Sequence, residues 1–357
     1  MRRLSDTIER LVRLTGVAPS GVSENRLRRL QTDFQNPGGL SAWYRLPENP
    51  PFPVALVVVL HGCTQTAASY DVGSGWSKLA DDFGFAVLFP EQARQNNANL
   101  CFNWFLDEDT RRDSGEVLSI RGMIDSMASN RGIDPQRIFI TGLSAGGAMA
   151  NAMLAAYPEV FAGGAIIAGL PFGIASTIPE AFDRMRGHGL PAPPVLQDRL
   201  RAASSHAGPW PTISVWHGTA DRTVDEGNAR AIVEQWKSVH NVAKNPSRSE
   251  VAEEQEHLIW TDSSGQDAIE LHRIARMGHG TPLDVSGGYG KPGPFMLDVG
   301  ISSTEHIARS WGLTPSFARR AMSEDMDAGE APNQGRSSPV GIQDVIENAL
   351  RTAGLMK

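Results

Sequence analysis

Five residues, Gly142-Leu143-Ser144-Ala145-Gly146, restrict what this chain can fold into more than any other stretch of it. They follow residues 137–141, which read as a buried strand, and open residues 145–157, an alanine- and methionine-rich run that reads as a helix stopped by Pro158. A strand passing into a helix through one serine must hold that serine at positive φ. A residue with a Cβ tolerates this only where its neighbours leave space. Gly142 and Gly146 leave it. Strand, serine and helix therefore come in the order of a nucleophile elbow, a turn that lifts a serine hydroxyl out of the end of a sheet. The competing reading is a glycine-rich turn with a bystander serine; the flanking strand and helix argue against it, and no other segment matches the pattern.

The rest of the chain supplies the sheet such a turn requires. Residues 54–60 are a continuous aliphatic, largely β-branched run of the kind buried on both faces of a parallel sheet. A strand pattern at 40–46 and a proline-rich turn at 47–53 precede it. A helix at 76–83, a strand at 85–89 ended by Pro90, and a helix at 115–130 lead to the elbow. Strands at 164–168 and 212–216, a helix at 226–239 and strands at 258–261 and 268–275 follow, where the sheet ends. A helix at 305–311 closes the domain. Strands alternating with helices at this interval predict an α/β fold with a mostly parallel central sheet and helices on both faces.

A chain of 357 residues with this pattern is long enough for one large domain with appendages. We place the catalytic domain at 37–313, after an arginine-rich helical extension at 1–36 whose charge reads as a solvated face. Residues 171–211 lose the alternation and are expected to be an insertion over the site. Residues 314–340 read as a linker and 341–357 as an amphipathic helix.

Bulk properties exclude several functions. The net charge is -7, so no global field draws the chain to nucleic acid or an anionic membrane. The longest aliphatic run is far shorter than the roughly 20 residues that cross a bilayer. After Met1-Arg2-Arg3, charged residues interrupt every apolar stretch, so no signal peptide is visible and the sequence by itself reads as cytoplasmic. Two cysteines, Cys63 and Cys101, make neither a disulfide framework nor a zinc site; free thiols and a single bridge both stay open. No metal or organic cofactor is expected, and the oligomeric state is left open.

A serine hydroxyl needs an imidazole base, and the base a carboxylate to orient it. In this architecture the chain order is serine, acid, histidine. Asp221, just past the 212–216 strand, is the expected acid; Asp225, four residues on, is the alternative and equally suits a helix cap. Of the five downstream histidines, His279 lies between two glycines in the loop after the last strand and is the expected base, whereas His240, His272 and His306 fall on helices or a strand. Ala145, at the positive end of a helix, and Cys63, after the 54–60 strand, are the expected backbone donors to an oxyanion. Trp104, in the run Cys101-Phe102-Asn103-Trp104-Phe105, reads equally as a pocket wall or as a core anchor. Gln65 and Leu143 join it as expected substrate-binding residues.

With these residues in place, the chain resembles the esterases of the polyhydroxybutyrate depolymerase type, α/β-hydrolases related to the feruloyl and acetylxylan esterases of carbohydrate esterase family 1. The matching stretches are Leu60-His61-Gly62-Cys63-Thr64-Gln65, Gly75-Trp76, Phe89-Pro90-Glu91-Gln92, residues 101–105, the elbow with Gly147, Trp216-His217-Gly218-Thr219-Ala220-Asp221, and Gly278-His279. They span roughly residues 40 to 312. The resemblance implies Ser144 as nucleophile, Asp221 as acid and His279 as base, with donors at Cys63 and Ala145. It also implies that many relatives are exported, from which this chain departs by its extra terminal segments and its lack of a visible leader.

The expected activity is hydrolysis of carboxylic esters, of short-chain esters or of polyesters such as polyhydroxybutyrate and its oligomers. The alternatives are release of ferulate or acetate from plant polysaccharide and, in another class, a non-catalytic binding protein on a hydrolase fold. Without propeller repeats, a peptidase is the weaker expectation.

Overall fold

The computed structural model describes residues 26–31 and 34–315. Residues 1–25, most of the 314–340 segment and the helix expected at 341–357 lie outside the described residues. Within the stretch read as helical, Arg28–Arg29 instead form strand β1, antiparallel to β2 (Ser41–Arg45). Leu27 and Leu30 flank it and enter opposite cores, as alternation along an extended chain requires.

Strand β3 (Val54–Leu60) is buried at every residue. Its alternation splits it between two cores: Leu56, Val58 and Leu60 join one, and Ala55, Val57 and Val59 the other. Helices α1 (Ala67–Ser74) and α2 (Trp76–Phe83) lead to β4 (Ala86–Glu91). The short α3 (Asp107–Thr110) and α4 (Gly115–Arg131) lead to β5 (Ile133–Leu143), which runs through the elbow into α5 (Ala145–Ala156) and on to β6 (Gly163–Ile167). Helices α6 (Ile178–Met185) and α7 (Pro193–Ala202) occupy the 171–211 segment before β7 (Thr212–Gly218) and α8 (Gly227–His240). Strands β8 (Arg248–Val251), β9 (Gln255–Thr261) and β10 (Asp267–Ile274) complete the main sheet, and β11 (Thr281–Leu283) pairs with β12 (Met296–Asp298) in a separate small one before α9 (Ser303–Ser310).

The main sheet has the order β1-β2-β4-β3-β5-β6-β7-β10-β9-β8. Every neighbour from β4 to β10 is parallel; the edges β1-β2 and β9-β8 are antiparallel. Helices α4, α5 and α8 pack on one face, and α1, α2 and α9 on the other. Pro90 does not end β4 as expected. Its ladder with β3 stops at Leu88, so among the described residues Pro90 is paired only with β2, and no bond to β3 is lost by its missing N–H.

Candidate active site

Ser144 is the first site residue the fold fixes. It has φ 56° and ψ -118°, between β5 and α5, and its N–H donates to Ile167 O at 2.9 Å. A Cβ on Gly142 would strike Gly146 O, and one on Gly146 would strike His61 O. Both glycines are therefore required by close backbone approach around the strained serine.

Asp221 and His279 come from the loops after β7 and β10, neighbouring parallel strands. His279 Nδ1 lies 2.7 Å from Asp221 Oδ2, and the carboxylate side chain is wholly buried. Asp221 Oδ1 accepts the N–H groups of Thr223 at 2.8 Å and Val224 at 2.9 Å. Burial alone would raise this carboxyl, but the His279 hydrogen bond and charge, the nearby His217 and the Val224 N–H together hold it below its ordinary value. Asp225 is differently engaged: its Oδ1 accepts Gly227 N–H at 2.8 Å at the start of α8, and its own N–H donates to Met185 O at 2.7 Å.

Ser144 and His279 line one cavity of about 290 Å³ at the carboxyl ends of the parallel strands, where ligand sites form in sheets of this kind. Among the described residues no hydrogen bond joins Ser144 Oγ to the imidazole. Cys63, Gln65, Leu143 and Trp104 line the same cavity. Trp104 does both things the sequence left open, since it also packs with Ala145, Ala148 and Leu170 in a small core cluster. The opposite wall is α6, whose Ile178, Ala181, Phe182 and Met185 recur at helical spacing and face the cavity.

The backbone donors expected at Cys63 and Ala145 are both without an acceptor among the described residues. Ala145 opens α5, so its N–H has no partner within the helix. Cys63 is oriented from behind. His61 Nε2 accepts Gln92 N–H at 3.2 Å, which leaves Nδ1 as the protonated nitrogen, donating to Gly62 O at 2.7 Å. In a trans peptide the carbonyl and the next N–H point opposite ways, so fixing Gly62 O aims Cys63 N–H. Burial lowers the His61 pKa and keeps the ring neutral for this task. A Cys63–Cys101 disulfide, with Cα atoms 4.2 Å apart, ties the same loop to the 96–105 wall.

Sequence reasoning passed over this support. His61, Gln92 and His217 stood inside the quoted motifs with no role attached. His217 is buried, its Nε2 2.9 Å from Val224 O and 3.5 Å from Asp221 Oδ2. Glu116, fully buried in α4, accepts Gln92 Nε2 at 2.5 Å and Asn103 N–H at 3.0 Å. Their partners are remote in sequence, so spacing carried no signal.

Among the described residues His257, Glu270 and His272 bring three metal-ligating atoms together. The two rings are stacked, 4.0 Å between centroids and 16° between planes. Both rings meet Glu270 Oε2, at 3.0 and 3.1 Å. Among the described residues no helix is long and apolar enough to cross a membrane.

Comparison with known proteins fits this arrangement. The family model described as Esterase PHB depolymerase matches residues 41–257. Poly(3-hydroxyalkanoate) depolymerase C of Paucimonas lemoignei is 40% identical over 301 residues, covering 83% of this chain and 72% of that protein. An acetylxylan esterase of Coprinopsis cinerea is 30% identical over 275 residues, covering 75% of this chain and 72% of its own. Among solved structures, an acetyl xylan esterase from Aspergillus awamori matches with TM-score 0.69 at 23% identity, over 81% of this chain and 99% of that one. That likeness is one of fold, and the fold is that of the α/β-hydrolases.

Proposed function

The chain belongs to the Esterase PHB depolymerase family and is a serine carboxylic ester hydrolase, and from that premise we propose that Ser144, His279 and Asp221 perform its chemistry. The observation that carries the reading is the 2.7 Å contact of His279 Nδ1 with Asp221 Oδ2, in a ring that lines the same cavity as Ser144. Family membership sets aside the non-catalytic alternative.

In this reading Ser144 Oγ attacks the ester carbonyl carbon while His279 Nε2 takes its proton. The charge that develops on the carbonyl oxygen is met by the N–H groups of Cys63 and Ala145. Collapse breaks the bond to the alcohol oxygen, and the imidazolium returns its proton to that alkoxide. Water then attacks the acyl-serine, His279 again taking the proton, and the acid leaves with Ser144 restored. Asp221 keeps its charge throughout, orienting the ring and stabilising the imidazolium.

For the substrate we propose short-chain hydroxyalkanoate esters, as polyester or oligomer. The apolar α6 face formed by Ile178, Phe182 and Met185 suits alkyl-branched units better than hydroxylated sugar, and the 40% identical relative is named a poly(3-hydroxyalkanoate) depolymerase. A second reading, release of ferulate or acetate from plant polysaccharide, draws on the edge-to-face pair Trp104 and Phe105, 5.7 Å between centroids, which could receive an aryl group.

Ser144→Ala is expected to lower turnover of p-nitrophenyl butyrate by roughly 10⁶-fold and to abolish labelling by a fluorophosphonate. Near-normal turnover would remove the serine from the chemistry. A polyhydroxybutyrate clearing assay beside a feruloyl ester assay separates the two substrate readings.

A further inference from the structure

We propose that the Gln65 side-chain amide is a third donor to the oxyanion, alongside the two backbone N–H groups. This deepens the reading of ester hydrolysis at Ser144 and rests on it.

An amide accepts at its oxygen and donates only at its nitrogen. Which end of a glutamine is which follows from its partners. Here the partner is unambiguous, because Gly62 N–H can only donate, and it lies 2.8 Å from Gln65 Oε1. Turning the amide over would set two donors face to face. Gln65 Nε2 is therefore held away from the loop, and among the described residues it has no acceptor. Nor is it sealed off: it is absent from the buried side-chain polar atoms that lack a partner, although Gln65 as a residue is only 8% exposed. Gln65 lines the cavity beside Ser144, so the opening this nitrogen faces is the substrate's.

The position fits an oxyanion donor better than a general wall contact. Gly62 precedes Cys63, and a Cβ built on Gly62 would lie 3.0 Å from Gln65 Oε1 and 3.4 Å from Leu143 Cδ2. Gln65 Oε1 and the Leu143 side chain thus both close on Gly62, the residue before the one that carries the Cys63 N–H. A nearly buried donor without a partner costs free energy in the resting protein. An acceptor that becomes negative during reaction offsets that cost most in the transition state, which is the condition for raising kcat rather than only lowering KM.

The test separates donation by Nε2 from bracing by Oε1. Gln65→Glu keeps an oxygen for Gly62 N–H and loses the N–H donors; Gln65→Met loses both. On p-nitrophenyl butyrate, Gln65→Glu is expected to lower kcat on the order of 10²-fold above neutral pH, with little change in KM. Its ratio to the wild-type rate should then rise on acidification, as the protonated carboxyl supplies an O–H. Gln65→Met should lose kcat without that recovery, thermal unfolding showing that both variants are folded. Wild-type kcat in Gln65→Glu at every pH, or a loss in both variants that does not depend on pH, would overturn the proposal. Either result, with Ser144→Ala still inactive, would leave the reading of the serine site standing.

Discussion

Gln92 N–H points at His61 Nε2 from 3.2 Å, and this one contact decides which nitrogen of the ring carries the proton. The protonated Nδ1 then holds Gly62 O, and the rigid peptide plane fixes Cys63 N–H on the opposite side. In the proposed reading the charge-stabilising side of the site thus rests on a buried, neutral histidine.

His61→Phe should therefore reduce kcat by about 10-fold or more, yet by less than the 10²–10³-fold cost of deleting a donor outright. KM should change little, because the displaced N–H matters chiefly when charge develops. Steady-state kinetics with a thermal melt checks this; a folded variant with wild-type kcat would show that the Gly62 peptide needs no such hold.

The two candidate acids are separable by the same pair of measurements. Asp221→Asn is expected to lower kcat by about 10⁴-fold, as loss of the carboxylate strands the imidazole in the wrong tautomer. Asp225→Ala should leave kcat near wild type and cost about 1 kcal/mol of stability, because its Oδ1 serves Gly227 N–H at the start of α8. The opposite pattern would exchange their roles.

Cys63 and Cys101 close a loop across a sequence separation of 38, which in the chain-entropy account contributes about 4 kcal/mol. Cys101→Ala should lower the denaturation midpoint accordingly, and adding reductant should shift the wild type but not the variant. A reductant-sensitive variant would place the sensitivity elsewhere.

Burial, with the Asp109 charge second, pushes the Glu116 carboxyl up from an ordinary 4.5 to about 8. Between those values the folded chain keeps a proton that the unfolded chain has released, so stability falls as pH rises through that window and levels off above about 8. Glu116→Gln cannot titrate and should flatten that part of the curve. Unfolding midpoints recorded across the window decide it, an unchanged slope counting against Glu116 as the source.

What could be read in the sequence followed from local periodicity and from chain order. The 54–60 run announced a doubly buried strand because each residue carries its own apolar signal, and it spans β3 as found. The elbow was legible for the same reason. Helix α1 escaped notice because its buried face includes Tyr70, Asp71 and Ser74, which blur a 3.6-residue pattern. Strand β8 is exposed at all four residues and has no alternation to detect. Polar support around the site was hidden differently. Gln92 serves His61 and Glu116 at sequence distances of 31 and 24, pairings that only the folded sheet creates.

Helix α6 is anchored unevenly. At its carboxyl end, Met185 O accepts Asp225 N–H from the loop that bears Asp221 and Arg184 O accepts Asn228 Nδ2 from α8, whereas Ile178 at the other end is 38% exposed. On the proposed reading, a replacement near residue 185 is therefore expected to disturb Asp221 as well as the cavity wall, and one near residue 178 to alter the wall alone.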